Sequence, residues 1–174
     1  MTTPSPFAAR ALGFAVAAGV FGVDQAIKWA VMGPWALPVI GQIPLTPFFN
    51  LTYTENHGVS LGLLTAGSAA SRWGLVGLTA LIACVVLVWL LRERQRPETA
   101  ALGMILGGAL GNIRDRAGEG FVIDYADLHL GAWRPFLVFN LADAAITLGV
   151  LIILARSFLS REKPATSPNT APES

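Results

Sequence analysis

From Ala11 to Val23 the chain carries no charge, and the apolar pattern continues past Asp24 and Lys28 to Val31. This predicts a helix over about 10–32, long enough to cross a bilayer. No small-x-small cleavage site precedes a polar region, so the run reads as an uncleaved span rather than a signal peptide. Residues 33–68 break the pattern: Pro34, Pro38, Pro44 and Pro47 disfavour helix, and the aromatic and β-branched run Phe48 to Thr54 predicts extended strand. Glu55-Asn56-His57-Gly58 predicts a turn. Trp73 to Leu91 has neither charge nor proline and predicts a second span over about 70–91. Trp73 and Trp89 would stand about 24 Å apart on it, near the two membrane interfaces. A third helix is predicted over about 98–116, with Gly103, Gly107 and Gly111 at every fourth position as a packing stripe. Residues 117–135 predict a second outer loop, and a last helix follows over about 136–159. Pro164 to Ser174 has no apolar pattern and reads as a disordered tail after a single domain, 1–163.

Composition sharpens this picture. Only 13% of the 174 residues are charged and 53% are hydrophobic, with a mean hydropathy of +0.57. The predicted class is an all-α membrane protein with four transmembrane helices, a small extracytoplasmic β-element and a second outer loop. A net charge of +1 gives no electrostatic case for a nucleic-acid partner. Arg92, Arg94 and Arg96 crowd one short loop, and Arg156, Arg161 and Lys163 end the last helix. The positive-inside rule therefore places both termini in the cytoplasm. The single cysteine, Cys84, excludes an intramolecular disulfide and reads as a buried or lipid-facing hydrophobe.

With this topology Asp24, Asn56, Asn112, Asp115, Asp124, Asn140 and Asp143 fall at or near one outer face. Two pairs share the form Asn-x-x-Asp, Asn112 with Asp115 and Asn140 with Asp143, a spacing that puts both side chains on one helical face. Ionisable groups at the edge of a membrane segment are costly and mark function by default. For Asp24 two readings stand, a local ion pair with Lys28 four residues on or a place in the site. Two histidines in separate loops, His57 and His129, do not make a zinc site. No spacing supplies a base to Ser60, Ser68 or Ser71. Paired carboxylates remain, which sharing one proton can activate water against a peptide carbonyl. Asp115, Asp124, Asp127 and Asp143 holding Mg²⁺ in a transferase is one rival, and a small proton-coupled transporter another. The transferase needs a metal, and the transporter needs carboxylates through the membrane depth.

Five blocks carry a resemblance that covers almost the whole chain: Val23 to Lys28, Asn56 to Gly62, Gly107 to Arg116, Val122 to Tyr125, and Phe139 to Asp143. In this order they resemble the lipoprotein signal peptidases, the type II signal peptidases of bacteria. The resemblance implies a monomeric, cofactor-free aspartic peptidase of the inner membrane, working among membrane lipid and acting near the extracytoplasmic face. Its substrates would be diacylglyceryl-modified prolipoproteins, cut just before the modified cysteine. By the same likeness Asp124 and Asp143 take the catalytic places. Asn112, Asp115, Arg116 and Asn140 surround them, Asp24 and Asn56 lie towards the substrate, and Gly108 and Ala142 give support. The chain departs from the family pattern at Val59-Ser60-Leu61, where small-small-Phe is usual, and at Tyr125, where Phe is commoner.

Overall fold

A computed structural model describes residues 6–58, 68–131 and 133–161. Val59-Ser60-Leu61 and the tail from Pro164 lie outside the described residues. Helix α1 runs Pro6–Met32 and is followed by a one-turn helix α2, Leu37–Ile40. Ala36, with φ 46°, turns the chain into α2, and Gly41, with φ 80°, turns it out. Strands β1 (Gln42–Thr46) and β2 (Phe49–Asn56) form an antiparallel hairpin. Helix α3 (Ala69–Arg92) is capped by the Ser68 hydroxyl, which accepts from Ser71 N. Helix α4 (Arg96–Gly118) begins with Pro97 in its first turn, where a missing N–H costs nothing. Strand β3 (Val122–Leu128) and helix α5 (Leu141–Arg161) complete the described chain.

The fold is mostly helical, with a three-stranded antiparallel sheet in the order β1-β2-β3. Phe7–Met32, Ala69–Arg92 and Leu141–Leu159 are long and apolar enough to cross a membrane. Helix α4 sits between the other long helices, packing against α1, α5 and α3, while α1 and α3 hardly meet. Its central position explains its sequence: small residues there let three backbones approach, so it need not be uniformly greasy. A methyl group on Gly107 would run into the Ala17 carbonyl of α1, and one on Gly108 would lie 2.5 Å from the Ala142 carbonyl of α5. Gly108 is thus the point at which α5 comes closest to α4. A second apolar cluster, Val31, Leu37, Ile123, Tyr125 and Ala126, glues the sheet to the C-terminal end of α1.

Three expectations need correction. The 117–135 segment is not simply loop, because residues 122–128 pair with β2 as a strand whose six leading positions are buried. Asn56 ends β2 rather than opening a turn, paired with Val122. Helix α5 starts at Leu141 rather than near 136, because Phe139 is held in a bridge with Ala126 that extends the backbone before the helix.

At their sheet-side ends the helices are joined by a polar clamp. Lys28 Nζ on α1 is 2.9 Å from Asp24 Oδ2 and 2.6 Å from Asp115 Oδ2 on α4, with all three side chains at most 2% exposed. Gln25 Nε2 donates to Asp24 Oδ2 and to Asp115 Oδ1, both at 3.1 Å. The other Asp24 oxygen accepts from Ala142 N of α5 at 3.0 Å. One ammonium thus serves two buried carboxylates on two helices, and one carboxylate reaches a third. Lys28→Met keeps the length of the side chain and strands both charges. It is expected to destabilise the protein by roughly 3–5 kcal/mol, read as a lowered thermal unfolding midpoint in detergent. An unfolding midpoint equal to that of the unaltered protein would show that the clamp holds nothing.

Candidate active site

Asp124 comes from the middle of β3 and Asp143 from the first turn of α5, and Asn140 joins them. Asn140 Nδ2 donates to Asp124 Oδ1 at 2.6 Å, and also lies 3.3 Å from Ile123 O. Asn140 Oδ1 accepts from Asp143 N at 2.9 Å, while Asn140 N donates back to Asp143 Oδ2 at 3.3 Å. This exchange is a capping box: the residue before the helix and the third residue inside it satisfy each other's backbone N–H. The Asn-x-x-Asp spacing at 140–143 therefore arises from a helix start, not from a shared face within a helix. At 112–115 the shared-face reading describes the geometry. Asn112 Nδ2 donates to Asp143 Oδ1 at 2.8 Å, its Oδ1 lies 3.4 Å from Lys28 Nζ, and Asp115 faces the same ammonium.

Asp124 is 1% exposed. Its second oxygen accepts from Asn56 Nδ2 at 3.0 Å, and Asn56 Oδ1 is itself held by Gly58 N at 2.9 Å. Burial, and then the charge of Asp143, push the Asp124 carboxyl up to about 6 against the pull of the two amide donors. The Tyr125 hydroxyl accepts from Leu141 N at 3.1 Å, which gives that hydroxyl a use: it satisfies one of the free N–H groups where α5 begins.

The structure thus brings Asn56, Asn112, Asp124, Asn140 and Asp143 into one hydrogen-bonded cluster. Asp24 and Asp115 stand behind it, fully buried, with Lys28 as their cation. Asp115 lies between Arg114 and Arg116 in the chain, yet Arg114 Nη1 is 4.0 Å away on an exposed side chain and Arg116 makes no ion pair among the described residues. Chain neighbours on a helix point in different directions, so adjacency was a poor guide. Arg116 is half-buried, its Nε has no hydrogen-bond partner, and the charges of Asp143, Asp124 and Asp115 act on it. Ala142 supplies its N–H to Asp24 and its carbonyl to the Gly108 contact. Asp127 points elsewhere, to Thr52 and Arg134. Among the described residues no group of three His, Cys, Asp or Glu side chains is arranged to hold a metal ion. Lys28 and Gln25 are the residues that sequence reasoning left out of the site, although the i, i+4 spacing from Asp24 was a visible signal for the first.

Comparison with known proteins shows the family. The family model for "Signal peptidase (SPase) II" matches residues 16–159. A lipoprotein signal peptidase of Rhizorhabdus wittichii is 54% identical over 160 residues, covering 92% of this chain and 93% of that protein. One from Sphingopyxis alaskensis is 50% identical over 151 residues, 87% of each chain. A solved bacterial membrane enzyme, determined by the in meso method at 2.3 Å, shares the fold with a TM-score of 0.75 at 23% identity, over 90% of this chain and 93% of its own. With matches spanning nearly its full length and its aspartates gathered as described, this chain belongs to the signal peptidase II family.

Proposed function

We propose that this protein is an intramembrane aspartic endopeptidase that removes the signal peptide from prolipoproteins, cutting just before a diacylglyceryl-modified cysteine. Relatives at 54% and 50% identity named lipoprotein signal peptidase support the substrate class. The observation that carries the mechanism is the join at Asn140, which holds a carboxyl raised to about 6 next to a second carboxyl on another element. In that pair the shared proton rests on Asp124, and Asp143 accepts a proton from a water as its oxygen attacks the scissile carbonyl. Asp124 then protonates the leaving nitrogen, and the C–N bond breaks. Asn56, Asn112 and Asn140 orient the carboxyls without adding charge. Neither metal nor cofactor takes part, and the protein works as a monomer.

The same reading makes α4 a fourth span, since its 23 residues rise about 34 Å, enough for the hydrocarbon core. Both termini are then cytoplasmic, and the sheet and dyad sit at the extracytoplasmic face of the inner membrane. In a Cys84→Ala background, a cysteine placed at exposed Glu119 is expected to react with an impermeant thiol reagent in intact spheroplasts, and one at exposed Gln95 only after lysis. The opposite pattern would invert the topology.

Asp124→Asn and Asp143→Asn are each expected to lower the cleavage rate of a lipidated prolipoprotein by at least about a thousand-fold, with the purified variants still folded. Substantial turnover by folded Asp124→Asn would remove Asp124 from the dyad. The pH profile gives an independent check. Because the active pair needs its proton, and the raised group loses it as pH rises through about 6, kcat/KM is expected to decline above that point. Asn56→Ala removes a hydrogen bond that favours ionised Asp124, so the declining limb should move to higher pH. A limb that stayed in place, or moved down, would contradict the assignment.

A further inference from the structure

Helices α1 and α3 hardly meet, although α4 packs against both. They approach at Gly13, where an added methyl group would lie 3.1 Å from Leu90 Cδ1. Between them lies a groove of about 510 Å³ with α4 as its floor. Phe14, Ala18 and Phe21 stand on the α1 side, and Ala80, Cys84 and Leu87 on the α3 side. Apart from the exposed Cys84 thiol the lining side chains are hydrocarbon. Both walls belong to helices long and apolar enough to cross a membrane. In a bilayer such a groove is filled by hydrocarbon, because an empty one would forfeit the dispersion contacts of its lining.

One end of the groove carries a charge. Arg10 stands one turn before Phe14, and positions 10, 14, 17 and 21 fall on one face of α1. It is the only charged side chain of α1 before Asp24. It is half-buried, its Nε has no hydrogen-bond partner, and it makes no ion pair among the described residues. A guanidinium N–H out of water and without an acceptor is costly, and a phosphodiester supplies oxygens that match its fork. From Arg10 to Phe21 the helix rises about 16 Å, close to half of the ~30 Å hydrocarbon core. That is the depth of one leaflet. A spanning peptide helix needs the whole thickness, so the stretch matches an acyl chain entering from the Arg10 side better than it matches a second helix.

We propose that the groove between α1 and α3 seats one acyl chain of an anionic phospholipid of the bilayer, whose phosphate Arg10 holds. The site is separate from the dyad, which α4, α5 and β3 carry, and it needs only that α1 and α3 lie in a membrane. Because Arg10 has no carboxylate of its own, a headgroup with a net negative charge is favoured over a zwitterionic one. In the topology proposed above the lipid comes from the cytoplasmic leaflet, whose surface is negative. A bound chain would bridge two helices that scarcely touch, as packing filler that the protein does not supply.

The test is native mass spectrometry of the full-length protein in detergent, titrated with dioleoylphosphatidylglycerol or dioleoylphosphatidylcholine. The unaltered protein is expected to bind one phosphatidylglycerol about ten-fold more tightly than phosphatidylcholine. Arg10→Gln should bring the two within about two-fold, and Arg10→Lys, which keeps the charge and loses the fork, should fall between. Ala18→Trp, which fills the groove and leaves Arg10 in place, should weaken binding of both lipids about five-fold or more. Alkylating Cys84, the single cysteine, with N-cyclohexylmaleimide should do the same in protein already folded. Equal affinities in the unaltered protein, or a preference that survives in Arg10→Gln, would overturn the role of Arg10 and with it the site. Binding undiminished by both Ala18→Trp and the alkylation would overturn the groove. Displacement of the bound phosphatidylglycerol by a prolipoprotein peptide would make the groove a seat for a peptide helix and overturn the lipid assignment.

Discussion

The arrangement depends on one buried ammonium. Lys28 enters the polar layer from α1 with its side chain 2% exposed, and two fully buried carboxylates, Asp24 and Asp115, close on it from α1 and α4. Removing any of the three leaves an uncompensated charge where little water can reach it, so the sheet-side ends of these helices must meet in one register. Asp24 extends the constraint to α5 by accepting the Ala142 N–H. Because Ala142 lies between Asn140 and Asp143, fixing its amide also fixes the turn that presents the Asp143 carboxyl. The ion triad thus sets where the first turn of α5 must start.

Asn140 converts that backbone constraint into a site. It is at once the cap of α5, through Asp143 N, and a donor to Asp124 Oδ1 on β3. A residue that must satisfy a helix end and a carboxylate together has little rotamer freedom, and the same is then true of the groups it holds. Asp124 belongs to a strand buried against β2, not to a free loop, so the pair is assembled before substrate arrives. Pre-organisation of this kind is how a hydrogen-bonded site avoids reorganising during the chemical step.

The long apolar runs were legible because hydrophobic length is a one-dimensional signal, and the blocks around Asn112, Asp124 and Asn140 were legible because their residue types recur in a fixed order. What escaped depended on pairing across the chain. Strand β3 has alternating and continuous apolar character over only a few residues, and its partner strand lies about seventy positions earlier, so local pattern could not distinguish it from loop. The start of α5 was misplaced because Phe136 to Phe139 is as apolar as the helix it precedes; the Ala126 bridge, a tertiary contact, decides the boundary. The partner of Asp115 was hidden for the same reason, since its cation comes from eighty-seven residues away in the chain.

The described aspartates divide by the kind of partner each has, a division that burial does not make. Asp24 and Asp115 are matched to Lys28, and Asp127 to Arg134. Removing either cation would leave a buried charge without its partner. Asp124 and Asp143 are nearly as enclosed in polar contacts, yet among the described residues neither has an ion pair; amides from Asn56, Asn112 and Asn140 hold them instead. An amide orients a carboxyl without supplying a countercharge, so burial, and then the charge of Asp143, raise the Asp124 carboxyl to about 6. On the proposed reading, fixed geometry without a direct ion pair is what lets the dyad exchange a proton. An ion pair to Asp124 would keep the hydrogen-bonded geometry and remove the proton that the proposed reaction needs, and Lys28 is instead bound to Asp24 and Asp115.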